Sequence, residues 1–193
     1  GLTATQLGAL ATAQIGALST TEVQAFSSTQ IVGFTSSQIG AFTTTQLGVM
    51  STTQLGAITT SQVKGLTTTQ ISALTTTQIG GLKSTQLGAL TTTQVGGLTT
   101  TEVIALTTTQ MSGLLSSQFA ALTTTQVNAL TTTQIGALTT TQVKGFTGTG
   151  LGAFTTTQFL ALTSTQLGGF STTQMAGLST TDIAVMTTTQ LGG

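Results

Sequence analysis

The sequence contains no Cys, His, Trp, Tyr, Pro or Arg. Each absence removes a class of function. Without Cys there is no disulfide scaffold and no thiolate metal centre. Without His, none of the many Ser and Thr hydroxyls has the usual base to activate it as a nucleophile. Three lysines and no Arg cannot neutralise a track of phosphates, and Phe is the only aromatic left to stack on bases, so no nucleic-acid partner is expected. The shortage of charge also removes electrostatic attachment to a membrane. Hydroxyl triplets interrupt every apolar run before it reaches the roughly 18 residues of a span, so no membrane insertion is expected. The six charged side chains are Glu22, Lys64, Lys83, Glu102, Lys144 and Asp182, and the net charge is zero. The three acids lie in equivalent repeats 80 residues apart, too dispersed for acid-base catalysis or a metal cluster. No enzyme activity, cofactor, metal or small-molecule substrate is expected.

What is present is a repeat. From Leu2 the chain divides into 24 octads without an insertion or deletion. Position one is Leu, Phe, Met or Ile, and positions two to four are mostly Thr or Ser. Position five is Gln except at Glu22, Glu102, Gly150 and Asp182. Position six is always apolar, position seven is usually Gly, and position eight is Ala, Gly or Val. Loops tolerate insertions and stacked units do not, so the constant length implies that every residue has a place in a stack. Residues 1–193 read as one array. No signal peptide is visible and the chain opens on Gly1, so the array is expected to be a segment of a longer one.

Thr, Val and Ile favour strands by propensity. A strand, however, would send positions one and six to opposite faces. A helical reading explains more. Ser or Thr at position two and Gln at position five form a capping box, with a hydrophobic staple between positions one and six. Ala11, Lys83, Leu115 and Gly150 break the box. Glu or Asp in place of Gln suits a helix start. A continuous helix is excluded, because eight residues turn it by about 800° and the apolar stripe would drift. The expected fold is therefore all-α: a solenoid of very short capped helices over positions three to eight, one per octad. A β-solenoid is the alternative. Positions one and six should point inward, and Phe26, Phe34, Phe42, Phe146 and Phe154 should fill the core, not form a binding stripe. Position seven should be exposed, and the small position eight should permit close backbone approach.

A longer period runs beneath the octad. Glu22, Lys64, Glu102, Lys144 and Asp182 alternate in sign at steps of 42, 38, 42 and 38 residues. Duplication of an 80-residue block explains the acids and the lysines separately. A coil of five octads would also explain the alternating signs, by stacking these residues as a structural charge ladder. The run Gly148-Thr149-Gly150-Leu151-Gly152 is a degenerate octad without the Lys of a phosphate loop. It marks a weak point, because the capping Gln is missing.

The octad Leu130–Ala137, LTTTQIGA, resembles the Thr/Gln-rich short repeats of very large bacterial secreted, adhesin-like proteins. It is also similar to the helix starts of TAL-effector DNA-binding repeats, whose units are much longer. The first resemblance, which covers the whole chain, implies an extracellular or cell-surface bacterial protein. The expected function is structural: a filament, stalk or sheath, with head-to-tail or lateral self-association. The alternative is surface recognition of ice or a glycan by regular Thr arrays.

Overall fold

The computed structural model describes residues 1–192; Gly193, the last position eight, lies outside them. The described residues form 24 short helices and no strand, an all-α repeat solenoid. Helices are numbered with their octads, from α1 (Ala4–Gly8) to α24 (Thr188–Gly192). Each has four to six residues, too few to be stable alone. The chain forms two compact units of the same construction, Gly1–Leu98 and Thr99–Gly193.

Most helices start as the capping box requires. Position two is extended, as at Thr43 (φ −72°, ψ 158°). The Gln46 amide donates to Thr43 Oγ1 at 3.1 Å, and the Thr43 amide donates back to Gln46 Oε1 at 2.7 Å. Where the N-cap is Ala11, Lys83 or Leu115, its side chain accepts nothing. The return bond from the N-cap amide to Gln Oε1 survives there at 2.8, 2.6 and 2.7 Å. Half a box therefore suffices when neighbours hold the rest.

The helices pack in steps of three. In the first unit α1 meets α4 (Ser28–Val32), and α2 (Thr12–Gly16) meets α5 (Ser36–Ala41). In the second unit α13 (Thr100–Ala105) meets α16 (Thr124–Ala129), and α15 (Ser116–Ala120) meets α18 (Thr140–Val143). One coil thus takes between three and four octads, which corrects the five-octad coil inferred from the charges. The polar bonds between coils, described below, fix this spacing.

Position six is the centre of the core: Leu7, Ile15, Ile79 and Ile135 are fully enclosed. Position one packs beside it, and Phe34, Phe42, Phe146 and Phe154 are buried as expected. Phe26–Phe34 and Phe34–Phe42 meet edge to face with ring centroids 5.4 and 5.3 Å apart, a geometry that aromatic quadrupoles favour. Position seven is outward, and even Val32, Ile104 and Leu160 are about half exposed there (50, 51 and 44%).

Position eight decides how closely coils approach. It faces position three of the helix 29 residues earlier: Gly33 faces Ala4, Gly65 faces Ser36, and Gly145 faces Ser116. A Cβ on any of these glycines would strike that backbone. No described residue has a positive φ. These glycines therefore serve close approach, not a left-handed turn.

Candidate functional site

The feature that distinguishes this solenoid is a track of buried amides at position five. Gln is the third residue of each helix, and its Oε1 accepts from the N-cap amide. This places the side-chain Nε2 against the coil before. Gln46 Nε2 donates to the carbonyls of Ile15 at 2.9 Å, Gly16 at 3.3 Å and Leu18 at 2.7 Å. Gln54 repeats this on Val23, Gln24 and Phe26, and Gln158 does so on Val127, Asn128 and Leu130. The offsets are 31, 30 and 28 residues each time.

The accepting carbonyls belong to positions six and seven and the following position one. These carbonyls lie at or just beyond the end of a short helix, where no amide of that helix can satisfy them. One Gln side chain therefore caps the start of its own helix and the end of another one coil earlier. The inner Gln side chains are 2–5% exposed, from Gln38 to Gln174. Burying an amide without partners would cost several kcal/mol, and here both ends of the amide are bonded.

Sequence reasoning found the Oε1 half of this role and missed the Nε2 half. The signal was available. A capping box accepts Glu as readily as Gln, and the helix dipole favours the acid. Yet Gln holds position five in all but four octads. That bias is a demand for a donor.

Four octads depart from Gln. Glu22 is exposed; its carboxylate accepts from the Ser19 amide at 2.7 Å and the Ser19 hydroxyl at 2.8 Å. The Ser19 amide, then its hydroxyl, holds the Glu22 pKa below the ordinary value. Glu102 is 2% exposed. Its Oε2 accepts from the Thr99 amide at 2.6 Å, while Oε1 is buried without a hydrogen-bond partner. Burial pushes the Glu102 pKa up, against the lowering effect of the Thr99 bond. Asp182 is buried and accepts from the Ser179 amide and hydroxyl at 2.8 and 2.7 Å.

The five residues of the expected charge ladder are therefore placed by helix chemistry. The three acids cap their own helix starts, while Lys64 and Lys144 sit exposed at the ends of α8 (Thr60–Val63) and α18. Glu22 lies on α3 (Thr20–Ala25), which packs on α6 (Thr44–Gly48), whereas α8 packs on α5 and α11 (Ser84–Ala89). A step of five octads does not match a coil of three to four, so within a unit residues about 40 apart, such as Glu22 and Lys64, are not stacked neighbours.

Gly150 is the fourth exception. Its amide still donates to Thr147 Oγ1 at 2.9 Å, but no side chain returns the bond or reaches the coil before. By the register of the other octads, a Gln here would meet the carbonyls of Phe119 and Leu122. A Cβ at Gly150 would lie 3.2 Å from Thr147 Oγ1, a tight contact that the hydroxyl must relieve by a small shift, and 3.8 Å from the Phe146 ring. Gly150→Gln should therefore stabilise the second unit by about 1–3 kcal/mol, combining lost chain entropy with new hydrogen bonds. Urea denaturation checks this; a midpoint that fails to rise refutes the reach assigned to the new side chain.

Open grooves run between coils on the surface. One of about 460 Å³ is lined by Ser28, Thr52, Thr53, Gly56, Ala57, Gly81 and Lys83. Among the described residues no group of acids forms a metal-binding cluster, and no helix is long and apolar enough to cross a membrane.

The family model described as the ALTTAQ repeat matches residues 7–44, 20–52, 44–76, 72–100 and 114–148, more than half of the chain. The run Ala73–Gln78, ALTTTQ, shows the correspondence: positions eight and one, then the capping box. No curated protein and no solved structure matches the chain.

Proposed function

The chain belongs to the ALTTAQ-repeat family, and from that premise we propose that it is a structural protein. Its work is to build a regular segment of a bacterial extracellular filament, stalk or sheath, with no catalytic role. The observation that carries this reading is the Gln stitch. Position five bonds coil to coil, positions one and six fill the core, and position eight sets the spacing. Most side chains are thus occupied in the stack, and the outward positions are mostly Thr, Ser and Gly. The resemblance to repeats of large secreted bacterial proteins supports an extracellular location.

The stitch is also directional, since each Gln donates to an earlier octad. In the first unit the Gln6 and Gln14 side chains are exposed. In the second unit the position-six side chains Met175 and Ile183 are 40% and 49% exposed. The same stitch made from one chain to another would give head-to-tail self-association. Negative-stain electron microscopy of the purified chain across a concentration series tests this. Unbranched fibres that lengthen with concentration are expected; a strictly monomeric, folded product at every concentration overturns self-association.

Surface recognition is the second reading. Position four is exposed in every octad, so a regular set of hydroxyls does face solvent. The position-two hydroxyls are occupied by caps, as at Thr43 and Thr67, which leaves a thinner array than a flat Thr face would offer. Absence of thermal hysteresis would remove ice as the ligand.

A further inference from the structure

We propose that the groove around Lys83, in the first unit, binds an acidic polysaccharide: the ammonium takes a sugar carboxylate and the flanking hydroxyls take the ring hydroxyls. The site adds a binding function to the structural segment. It does not depend on self-association, and it differs from recognition by the whole hydroxyl array because it centres on one octad.

Lys83 stands where the fold asks for a hydroxyl. Position two is Ser or Thr in every octad except at Ala11, Lys83 and Leu115, and Lys83 is the one charged residue there. Its side chain caps nothing, so α11 gives up one of its starting bonds. Nothing inside the fold replaces that bond. Among the described residues the exposed Lys83 ammonium has no hydrogen-bond or ion-pair partner. The one acid of the first unit, Glu22, is bonded to Ser19 and lies outside the groove. A residue that breaks the local rule without a gain in the fold marks a place where function is expected.

The stitch holds this residue beside the groove. The Lys83 amide donates to Gln86 Oε1 at 2.6 Å, and Gln86 Nε2 donates to the Leu55 and Ile58 carbonyls at 2.8 and 2.6 Å. The start of α11 is thereby tied to α7 (Thr52–Ala57). Two open grooves, of about 460 and 580 Å³, meet at Ser28, Ala57 and Lys83. Thr52 and Thr53 of α7 line the first, and Thr29 and Val32 of α4 line the second. Among the described residues the hydroxyls of Ser28, Thr29, Thr52 and Thr53 have no hydrogen-bond partner. The lining thus offers free hydroxyls, the methyls of Ala57 and half-exposed Val32, and one cation without an acid.

That combination fits a sugar carrying a carboxylate. A sugar ring presents hydroxyls at its edge and C–H groups on its face, and a uronic acid adds one negative charge. No aromatic side chain lines either groove, so a neutral sugar has no ring to stack on and the charge must decide binding. An open cleft admits a chain, whereas a small ligand needs enclosure. One lysine does not match a densely charged polyphosphate. A protein partner needs large apolar anchors, and Val32 is the only large apolar residue in the lining.

NMR titration of the intact, nitrogen-labelled chain with trigalacturonate and with its fully methyl-esterified form tests the site, because the two differ chiefly in charge. Trigalacturonate should bind weakly, in the millimolar range, and shift the amides of Ser28, Thr52, Thr53 and Lys83. Methyl esterification of the sugar should raise Kd about fivefold, the effect of losing one exposed ion pair. Lys83→Thr should weaken binding of the free acid by the same factor. Lys83→Thr also restores the N-cap of the other octads, so its melting temperature should rise by about 2–4 °C. A variant that is merely damaged cannot lose binding while gaining stability. Lys64→Gln, which removes an exposed lysine outside the groove, should leave Kd unchanged. Equal binding of acid and ester, no loss in Lys83→Thr, or no shift with trigalacturonate overturns the proposal. Shifts spread evenly over position four overturn it in favour of the hydroxyl array, and equal binding of triglutamate overturns it in favour of an acidic peptide. The structural reading survives each of these results, since the fibre assay reads assembly and not sugar.

Discussion

Gln134→Glu is expected to destabilise the second unit at neutral pH by about 3–5 kcal/mol, the cost of leaving a buried charge without a partner. The substitution changes almost no volume. It also preserves the cap, because a carboxylate accepts from the Thr131 amide as the Gln Oε1 does at 2.8 Å. What it removes is the donor. A carboxylate oxygen would replace Nε2, which lies 2.9, 3.3 and 2.8 Å from the carbonyls of Val103, Ile104 and Leu106. Gln134 is 3% exposed, so water cannot relieve the repulsion. Lowering the pH should recover part of the loss as the new acid protonates. The same change at exposed Gln6, whose Oε1 accepts from the Thr3 amide at 2.8 Å, should be neutral or slightly stabilising. Urea denaturation of the two variants side by side makes the comparison. Equal effects at Gln6 and Gln134 would show that capping, and not stitching, is the function of position five.

Gly65→Ala should cost the first unit about 1–3 kcal/mol, because the added methyl enters a fully packed contact. Gly65 is position eight of its octad, and its new Cβ would meet the Ser36 backbone. A flexible side-chain tip could swing away, whereas a stacked helix backbone can move only with its coil. Gly48→Ala is the matched control. It lies at position seven, where a Cβ meets nothing within 4 Å. Relief of glycine's entropy cost should there stabilise by about 0.5–1 kcal/mol. Thermal melts should thus move in opposite directions for the two substitutions. A shift of the same sign in both would mean that glycine acts here through the unfolded chain and not through contact.

In a solenoid, stability is close to a sum of unit and neighbour terms, so a weak octad has local effects. Gly150 marks one such place, because the side chain that would stitch it is missing.

The sequence by itself determined the octad and its helix. Thr43 and Gln46 announce a capping box wherever they occur, because that box closes between residues three apart and needs no distant partner. The staple, the inward positions one and six and the outward position seven followed from the same local geometry. So did the small position eight, although its partner 29 residues away was invisible. The number of octads per coil could not be read in this way. It depends on where Gln Nε2 finds carbonyls 28 to 31 residues earlier, and that is a property of the stack. The alternating charges suggested five octads because a sequence period can record duplication as well as geometry. Burial of Glu102 was equally hidden. Its octad reads like that of Glu22, and only the tertiary structure separates an acid in water from one enclosed with an unpartnered oxygen. Local hydrogen bonds are written in neighbouring residues; the polarity required of a side chain that crosses between coils is set by the coil it meets.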